Sequence, residues 1–368
     1  MRWVVVKLVN LFIVLLVVSF VVAALASSKM AEIEINMKKE ELNQQARSWL
    51  QQQVHTPQYE QCIQNKTAQG MSSAEATKSC NSEFKRWFID TNLKEYIQTK
   101  GLDKPWYIIS WHYTIQLLSF QDLRSSQLTT RIWDQGSHSV LKIIGERIPF
   151  TIILFTTSSI LTLLFAMPLA LYAARKPGSL VDNTIMGWSV FSVSMPWWWL
   201  GMVFIYVFSV KTHLLAGPDY TADWTNPRDV LYRMALPVIT VTLLSIGDTA
   251  FRLRNILLDT FNEDFVTVAR AKGVPERDVL RKHVLRAAAP PIVTIVLFAI
   301  VLSIVAGAII TELIFNWFGL GRLYWDAITG NDIPVLVELT YITTLLYLVV
   351  RFVLDILYTY LDPRIRRA

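Results

Sequence analysis

This 368-residue chain contains two cysteines and five histidines, the residue types that most often form disulfides or bind metals. Cys62 and Cys80 are the only cysteines and lie eighteen positions apart, and the histidines are scattered without the spacing of metal ligands. An even cysteine count in an oxidising compartment predicts a disulfide, and two unpaired thiols are the alternative. Closing a loop of this size stabilises the segment by about 3 kcal/mol. We expect no metal site.

Motifs for catalysis and for nucleotide binding are missing from the sequence. It contains no His-Glu-x-x-His, no Gly-x-Ser-x-Gly, no paired catalytic Asp motif and no Gly-x-x-x-x-Gly-Lys-Ser/Thr phosphate loop. Gly319-Leu320-Gly321 lacks the third glycine of a dinucleotide fingerprint, so we interpret it as a turn. The chain is therefore not expected to be an enzyme or to bind a cofactor itself.

The composition is that of a membrane protein. Hydrophobic residues make up 53%, charged residues only 17%, and the mean hydropathy is +0.36. A soluble chain carries about 25% charged residues, so much of this surface must face lipid. This excludes an ordinary cytosolic enzyme, a disordered protein and a small disulfide scaffold. The net charge is +6, and the next question is on which side of the membrane the excess basic residues lie.

Six apolar stretches are long enough to cross a bilayer as helices. Pro168 and Pro196 lie inside two of them and permit kinks. Ala24-Leu25-Ala26 resembles a signal-peptidase site, but the long apolar run and Trp3 favour a retained helix over a cleaved signal. The predicted spans run approximately over residues 3–26, 148–174, 185–210, 234–251, 291–310 and 335–360. Within the last, Arg351 and Asp355 are four apart and can pair.

Basic residues in the short loops predict the orientation. With the N-terminus inside, fifteen Lys and Arg residues lie on the cytoplasmic side and four in the two short outer loops. We therefore expect both termini to be cytoplasmic and residues 27–147 to be extracytoplasmic. In that segment the stretches at about 32–53 and 72–98 are predicted helices, with Ser72 or Ser73 as N-cap and Glu75 nearby.

The cytoplasmic loop at residues 256–287 is the most informative segment. Gly273 suits a left-handed helix C-cap and Pro275 suits the first turn of the next helix, which predicts two short helices around a break. Two apolar stripes follow helical spacing, and basic residues flank them. The loop either lies on anionic headgroups or docks into a groove on a cytoplasmic partner. The stripes consist of Phe265, Val268 and Ala269 in the first helix and Val279, Leu280 and Val284 in the second.

This loop resembles the coupling loop of ABC importer permeases. Ala269, Gly273 and Leu285 match the general pattern, whereas Thr267, Val268, His283 and Arg286 depart from it. The departures resemble the oligopeptide/dipeptide importers, whose version is reproduced by Asp264, Val266, 269–273 and 282–286. Further similar segments lie at 101–106, 122–123, 146–151, 178–182, 312–321 and 361–364, although Phe318 stands where the family usually has Pro.

The resemblance implies an all-α polytopic membrane protein with six transmembrane helices in the ABC importer permease architecture. An external, mainly helical insert lies between helices 1 and 2, and its part from about 30 to 100 matches no family pattern. The long approach to helix 2 and the turn at 195–198 are more similar to the first of the family's two permease subunits. The expected parts are helix 1 (1–26), the extracytoplasmic segment (27–147) and a permease core (148–368) that contains the coupling loop (256–287).

The implied partners are a second permease, two cytoplasmic ABC ATPases that bind ATP and Mg, an extracytoplasmic substrate-binding protein and membrane lipid. Nucleic acid is not expected. The implied location is the inner membrane of a prokaryote, and the implied cargo is peptides, with an oligosaccharide or nickel as the alternative. For the coupling loop the resemblance suggests three roles. Gly273 sets the angle of the helix pair, and Arg270 and Lys272 contact the rim of a groove on an ATPase. The apolar stripe that enters this groove consists of Phe265, Val268, Ala269, Val279 and Val284.

Two groups of candidate site residues follow. For Asp248 the alternative to a pore role is a place near the cytoplasmic end of its helix, where it reaches headgroups or Arg252. For Trp197, Trp198 and Trp199 the alternative to an external vestibule is an interfacial aromatic belt. The candidate pore or gate residues are Pro196, Trp197, Asp248 and Glu312. The candidate coupling residues are Asp264, Phe265, Val268, Ala269, Arg270, Ala271, Lys272, Gly273, Lys282, His283, Leu285 and Arg286.

Other classes of protein fit the sequence less well. A receptor or sensor with an external ligand-binding domain would need a cytoplasmic output domain, and the predicted inner loops and tail are short. A secondary transporter would usually carry inverted repeats, which we do not find, and would not need the coupling loop.

Overall fold

The computed structural model describes the backbone of residues 2–54, 56–125, 127–132, 135–221, 223–302 and 308–361, and the side chains of the same residues except 2–3, 296–302, 308 and 357–361. Over these ranges the chain is almost entirely helical, and one isolated antiparallel bridge joins Arg124 and Ser139. Two π-helical turns, Ile205–Lys211 and Val279–Val284, interrupt the α-helices. The α-helices are α1 Arg2–Gln53, α2 Pro57–Ala68, α3 Ser73–Lys100, α4 Trp106–Leu118, α5 Val140–Arg175, α6 Leu180–Ser194, α7 Trp197–Phe204, α8 Pro227–Phe261, α9 Asp264–Ala271, α10 Glu276–Asp278, α11 Leu285–Leu302, α12 Ala308–Ile314, α13 Leu320–Thr329 and α14 Ile333–Leu361.

Helix α1 continues without a break from the apolar N-terminal stretch into the insert. The two predicted helices at 3–26 and 32–53 are therefore one helix of 52 residues. Hydropathy falls after Ala26, but residues 27–53 contain no Gly or Pro and are rich in helix-forming Glu, Lys, Gln and Ala. The expected boundary at residue 26 thus lies inside continuous helix.

The remainder of the insert is built on this long helix. The side chain of Ser72 accepts a hydrogen bond from the amide of Glu75, and the Glu75 carboxylate accepts one from the amide of Ser72. This capping box starts α3 at the predicted place. A disulfide joins Cys62 in α2 to Cys80 in α3, with the two Cα atoms 6.1 Å apart.

The Glu34 carboxylate joins three helices of the insert. It accepts hydrogen bonds of 2.7 Å from the hydroxyls of Tyr96 in α3 and Tyr113 in α4. Burial, together with the charge of Glu34, raises the pKa of Tyr113 far above its usual range. The phenol therefore stays protonated and continues to donate to Glu34 at ordinary pH.

Helices α5 and α8 form the centre of the helical core and run side by side in the same direction. Phe155 packs with Met234 and Val238 near their beginnings, and Ala170 packs with Ala250 and Leu253 towards their ends. Helix α6 packs along α8, whereas α1 packs against α4 and α14. The chain is thus organised around the α5–α8 pair.

Four described helices are long and apolar enough to cross a membrane, and a bent pair forms a fifth candidate. The bend of 96° separates 180–194 from 197–211, at the interruption predicted for Pro196. The predicted span at 291–310 includes residues outside the described ranges. The four straight candidates are Val4–Gln53, Val140–Arg175, Pro227–Phe261 and Ile333–Ile356.

Asp355 in α14 pairs with a different helix from the one expected. Lys7 Nζ of α1 lies 2.6 Å from Asp355 Oδ2, and Arg351 Nη1 lies 3.5 Å from the Tyr347 hydroxyl. The spacing of Arg351 and Asp355 therefore did not identify the partner of Asp355. Helix α1 packs along α14 and places Lys7 beside this carboxylate.

Candidate functional site

A cavity of about 630 Å³ lies between the core helices. Its walls come from α5, α6, α7, α8, α11 and α12, so residues distant in sequence share one space. Nine of its lining residues are serine or threonine, and one ion pair is the only charge on its wall within the described residues. The hydroxyl residues are Ser158, Ser159, Thr162, Ser192, Thr240, Ser245, Thr249, Thr294 and Thr311.

Two of these hydroxyls have no hydrogen-bond partner in the part of the chain that the structure describes. Ser158, Thr240 and Thr294 donate to carbonyls four residues earlier in their own helices. In contrast, the hydroxyl oxygens of Thr162 and Ser192 are buried and accept or donate no hydrogen bond among the described residues. Buried polar atoms are nearly always satisfied, so these two hydroxyls are available to water or to a molecule in the cavity as far as the described residues are concerned.

Asp248 lines the cavity and is also paired. Its Oδ2 lies 2.8 Å from Nη2 of Arg252, one helical turn further along α8, and both residues belong to the cavity wall. The two interpretations of Asp248 from the sequence are therefore compatible. The pair supplies one anionic and one cationic group on the same wall.

The hydroxyls of the wall were missed in the sequence analysis. Ser158 and Thr162 are four apart in α5, and Ser245 and Thr249 are four apart in α8. Polar residues at helical spacing inside apolar spans were the signal that could have identified this wall.

Only part of the predicted pore set reaches the cavity. Trp197 lines it, whereas Pro196 is exposed at the bend between α6 and α7, and neither Trp198 nor Trp199 belongs to the wall. Glu312 is fully buried and is not part of the cavity wall, so its role as a gate stays a prediction. Its carboxylate accepts hydrogen bonds from Thr151 Oγ1 at 2.7 Å and from the Arg322 amide at 3.1 Å. It holds a turn in place and does not face the cavity.

A glycine next to Asp248 allows α6 and α8 to approach closely. A Cβ atom at Gly247 would overlap the Trp188 ring and would lie 2.9 Å from the Trp188 carbonyl carbon. The indole Nε1 of Trp188 donates to the Leu243 carbonyl at 3.1 Å. Gly247 and Trp188 therefore fix the separation of two cavity walls.

The loop at 256–287 contains the end of α8 at Phe261 and the short helices α9 and α10. Gly273 has φ +74°, the predicted left-handed conformation, and separates α9 from α10. Across this turn, Arg270 Nη2 lies 2.9 Å from Glu276 Oε1, and Arg270 Nε donates to the other carboxylate oxygen at 3.2 Å. The Arg270 hydrogen bond lowers the pKa of Glu276, and the pair in turn raises the pKa of Arg270.

The apolar stripe of the loop divides between two faces, which corrects the expected docking face. Ala269, Val279 and Val284 are buried against this chain's own Leu253, Leu257 and Phe261, together with Val266 and Leu280. Their packing holds the loop to α8 and leaves them no surface for a partner. Phe265 and Val268 remain 43% and 51% exposed.

The other candidate loop residues are mostly at the surface. Lys282 pairs with Asp278 at 3.2 Å, and His283 and Leu285 are half-buried. The exposed members are Asp264, Arg270, Ala271, Lys272, Gly273 and Arg286.

A buried ion pair ties the turn between α5 and α6 to α8. Arg254 Nε and Nη2 donate to the two carboxylate oxygens of Asp182 at 2.8 and 2.9 Å. Asp182 also accepts from the Gly178 amide at 2.8 Å. The two residues are 72 positions apart in the sequence, and this separation gave no sign of the contact.

Residues 166–367, more than half of the chain, match the family model described as the binding-protein-dependent transport system inner membrane component. The chain belongs to this family. The match includes α6, α8 and the whole loop at 256–287, so this permease carries its most informative sequence segment inside the family domain.

Named relatives agree with this assignment. The permease is 31% identical over 277 residues to the oligopeptide transport system permease protein AppB of Bacillus subtilis, covering 74% of this chain and 84% of AppB. It is 32% identical over 295 residues to the di/tripeptide transport system permease protein DppB of Pseudomonas aeruginosa, covering 74% and 84%. A solved structure of the MetNI methionine ABC transporter is 16% identical with a TM-score of 0.48, covering 60% of this chain and 97% of that one.

The family resemblance inferred from the loop is thus confirmed. The chain is a permease subunit of an ABC importer, and this family consists of membrane components and not of enzymes.

Proposed function

We propose that this permease forms half of a translocation path for di- or oligopeptides and that the cavity is part of that path. The observation that carries the proposal is the continuity of α8. This helix places Asp248 and Arg252 on the cavity wall and ends at Phe261, which packs against the buried face of the loop. At 1.5 Å per residue the two sites are about 20 Å apart on one rigid element.

The character of the cavity suits a peptide. Its volume lies within the range of about 300–1,000 Å³ that small-molecule sites occupy. Hydroxyls can donate to and accept from peptide amides whatever the side chains are, and the Asp248–Arg252 pair offers groups for charged termini. The relatives are named for oligopeptides and di/tripeptides, which favours peptides over an oligosaccharide or nickel.

The proposed partners are a second permease, two cytoplasmic ATPases that bind ATP and Mg, and an extracytoplasmic substrate-binding protein. Phe265 and Val268 are exposed and three residues apart on the outer side of α9, and Arg270 and Lys272 are exposed as well. We assign this outer side of α9 as the ATPase contact. The buried members of the stripe transmit its movement to α8.

The proposed orientation places both termini and the loop in the cytoplasm of a prokaryote, with residues 27–147 outside its inner membrane. Positively charged loops favour this orientation. A membrane-impermeant maleimide on intact cells should label Trp87→Cys in the insert, and should label Lys272→Cys only after permeabilisation. The reverse pattern would contradict the orientation.

Gly273→Pro tests the coupling role, with Gly70→Pro as a matched control. Both glycines have positive φ, +74° and +90°, and both amides donate to the carbonyl three residues earlier. Proline cannot adopt positive φ and has no N–H, so the local strain is the same in kind at both positions. Gly273→Pro should abolish ATP-dependent peptide uptake by the reconstituted importer, whereas Gly70→Pro should leave most of it.

Assembly must be measured in the same experiment. Copurification of the ATPases and the amount of permease in the membrane separate lost coupling from lost protein. Wild-type uptake by an assembled Gly273→Pro importer would contradict the coupling role of the loop.

A further inference from the structure

Helix α4 has an outward face made of large apolar side chains. Residues 106–118 include no Asp, Glu, Lys or Arg. Its inward face, with Ile109, Tyr113 and Leu117, is buried in the cluster that contains α1 and α14. Its exposed side chains are Trp106 at 60%, Tyr107 at 51%, Ile108 at 39%, Trp111 at 47% and Ile115 at 49%.

The length of α4 excludes a membrane crossing. Thirteen residues at 1.5 Å each give about 20 Å, against a hydrocarbon core of about 30 Å. The exposed face is nevertheless too apolar and too continuous for a helix surrounded by water. A short helix with Trp and Tyr on its outer face is typical of the membrane–water interface.

The position of α4 along α1 agrees with an interfacial helix. The rings of Trp111 and Phe20 lie 6.3 Å apart, and Phe20 belongs to the apolar part of α1. On the polar side, Trp106 and Ile109 share a pocket with residues 27–36 of α1. Helix α4 therefore contacts α1 on both sides of Ala26, where the hydropathy of α1 falls.

The exposed face of α4 is also continuous with a lipid-facing surface. Around Phe20, the outer side of α1 exposes Val17, Val21 and Leu25 at 51%, 48% and 83%. The most apolar window of α1 is only 11% buried within the chain. Trp111 extends this apolar surface from α1 onto α4 through its contact with Phe20.

We propose that α4 lies in the membrane interface at the end of α1 from which the insert emerges, with the side chains of Tyr107, Ile108, Trp111 and Ile115 against lipid headgroups and upper acyl chains. Lipid is thus a structural partner of the insert. Because Glu34 binds both Tyr96 and Tyr113, an α4 held in the interface fixes the direction in which α1 and α3 leave the membrane.

Spin labels on single introduced cysteines test this position in the intact importer reconstituted in liposomes. Cys62 and Cys80 are disulfide-bonded and stay unlabelled without reductant. The probes are Trp111→Cys and Ile115→Cys. The controls are Val17→Cys on the lipid-facing side of α1 and Trp87→Cys, which replaces a 60% exposed residue of α3. Power saturation gives the ratio of collision with oxygen to collision with a water-soluble nickel chelate.

Both probes should have an oxygen-to-nickel ratio several-fold above that of Trp87→Cys and below that of Val17→Cys. A ratio equal to that of Trp87→Cys would place α4 in water and overturn the proposal. Exclusion of both reagents would place the face against protein, either the second permease or the binding protein, and would also overturn it. An aqueous ratio at Val17→Cys would remove the membrane position of α1, and the proposal with it.

Discussion

Asp182 and Arg254 form a pair whose side chains are only 4% and 15% exposed. Taking two charges out of water is costly, and a good bidentate geometry with further hydrogen bonds offsets that cost. Removing one partner leaves an uncompensated buried charge and typically costs about 3–5 kcal/mol. The pair lies between the cavity and the loop, so its loss should affect stability and transport together.

Asp182→Asn should therefore lower the thermal stability of the purified permease by several degrees. Asp278→Asn is the matched control, because it breaks the exposed pair with Lys282, and such pairs contribute about 0–1 kcal/mol. The melting temperature followed by size-exclusion chromatography is the measurement. Asp182→Asn combined with Arg254→Met should recover part of the loss. No recovery would indicate that the charge left on Arg254 is not the cause.

Polar contacts within one helical turn can be predicted from the sequence, whereas polar contacts between distant helices cannot. The Ser72–Glu75 capping box was predictable because both residues belong to one helical turn. The Asp182–Arg254 contact depends on how α6 packs on α8, and no local pattern encodes that packing. The same holds for Glu312, whose position near the end of a predicted span suggested a gate, although the fold buries its carboxylate against Thr151.

Among the helices, α6 and α8 depend on a close approach at Gly247. A methyl group there must displace Trp188, including its backbone, and overpacking of this kind costs about 1–3 kcal/mol. Gly247→Ala should therefore reduce both thermal stability and peptide uptake. Gly145→Ala is the control in α5, because a Cβ atom there meets nothing within 4 Å and alanine favours helix by up to about 1 kcal/mol. Equal behaviour of the two variants would contradict the packing argument.

The turn between α9 and α10 should respond to acid. The pKa of Glu276 is lowered, so the Arg270–Glu276 pair stabilises the turn above the ordinary carboxyl pKa of about 4.3 and is lost as pH falls through the lower folded value. A spin label at Ala271→Cys should become more mobile between pH 7 and the acid range. Adding Glu276→Gln should give high mobility already at pH 7.

The control for this pH experiment is Glu263→Gln, which changes a neighbouring carboxylate outside the pair. It should keep the wild-type response to pH. If the response persists in Glu276→Gln, another group is responsible and the assignment to this pair fails.

Helix positions were largely predictable, whereas helix continuity and bending were not. Hydropathy falls after Ala26, but helix propensity does not. The predicted membrane span and the predicted soluble helix are therefore one continuous helix, α1. The interruption at Pro196 was visible in the sequence, since proline lacks an amide donor. The 96° bend was not visible, because the direction of α7 depends on its packing against α8 and α12.

At the scale of the whole molecule, the sequence did not show which apolar faces are buried within the chain and which stay exposed. The stripe in the loop at 256–287 was correctly recognised as helical and apolar. Ala269, Val279 and Val284 nevertheless cover the end of α8, and Phe265 and Val268 are left outside. Sequence periodicity identifies an apolar helix face but does not show what covers that face. A helix of the same chain and a groove on a partner protein both require apolar residues at these positions.

The insert and the permease core should also unfold separately. Helix α2 buries only Tyr59 and packs on α3, to which the disulfide and the Lys66–Glu83 pair connect it. The disulfide closes a loop of eighteen residues and contributes about 3 kcal/mol on the chain-entropy model. Its loss should therefore act on α2 and the start of α3, while α5 and α8 keep their own packing.

Replacing both Cys62 and Cys80 by serine should speed amide hydrogen exchange in residues 57–68 by about 100-fold, since each 1.4 kcal/mol is a factor of ten. Mass spectrometry of the reconstituted importer measures this. Tyr59→Phe is the control, because it removes one hydroxyl contact with Asn81 and keeps the cross-link. It should have a much smaller effect. Exchange in α5 and α8 and the rate of peptide uptake should stay at wild-type values, because among the described residues α2 packs mainly on α3. Faster exchange in α5 or α8 would mean that the insert stabilises the translocation path itself.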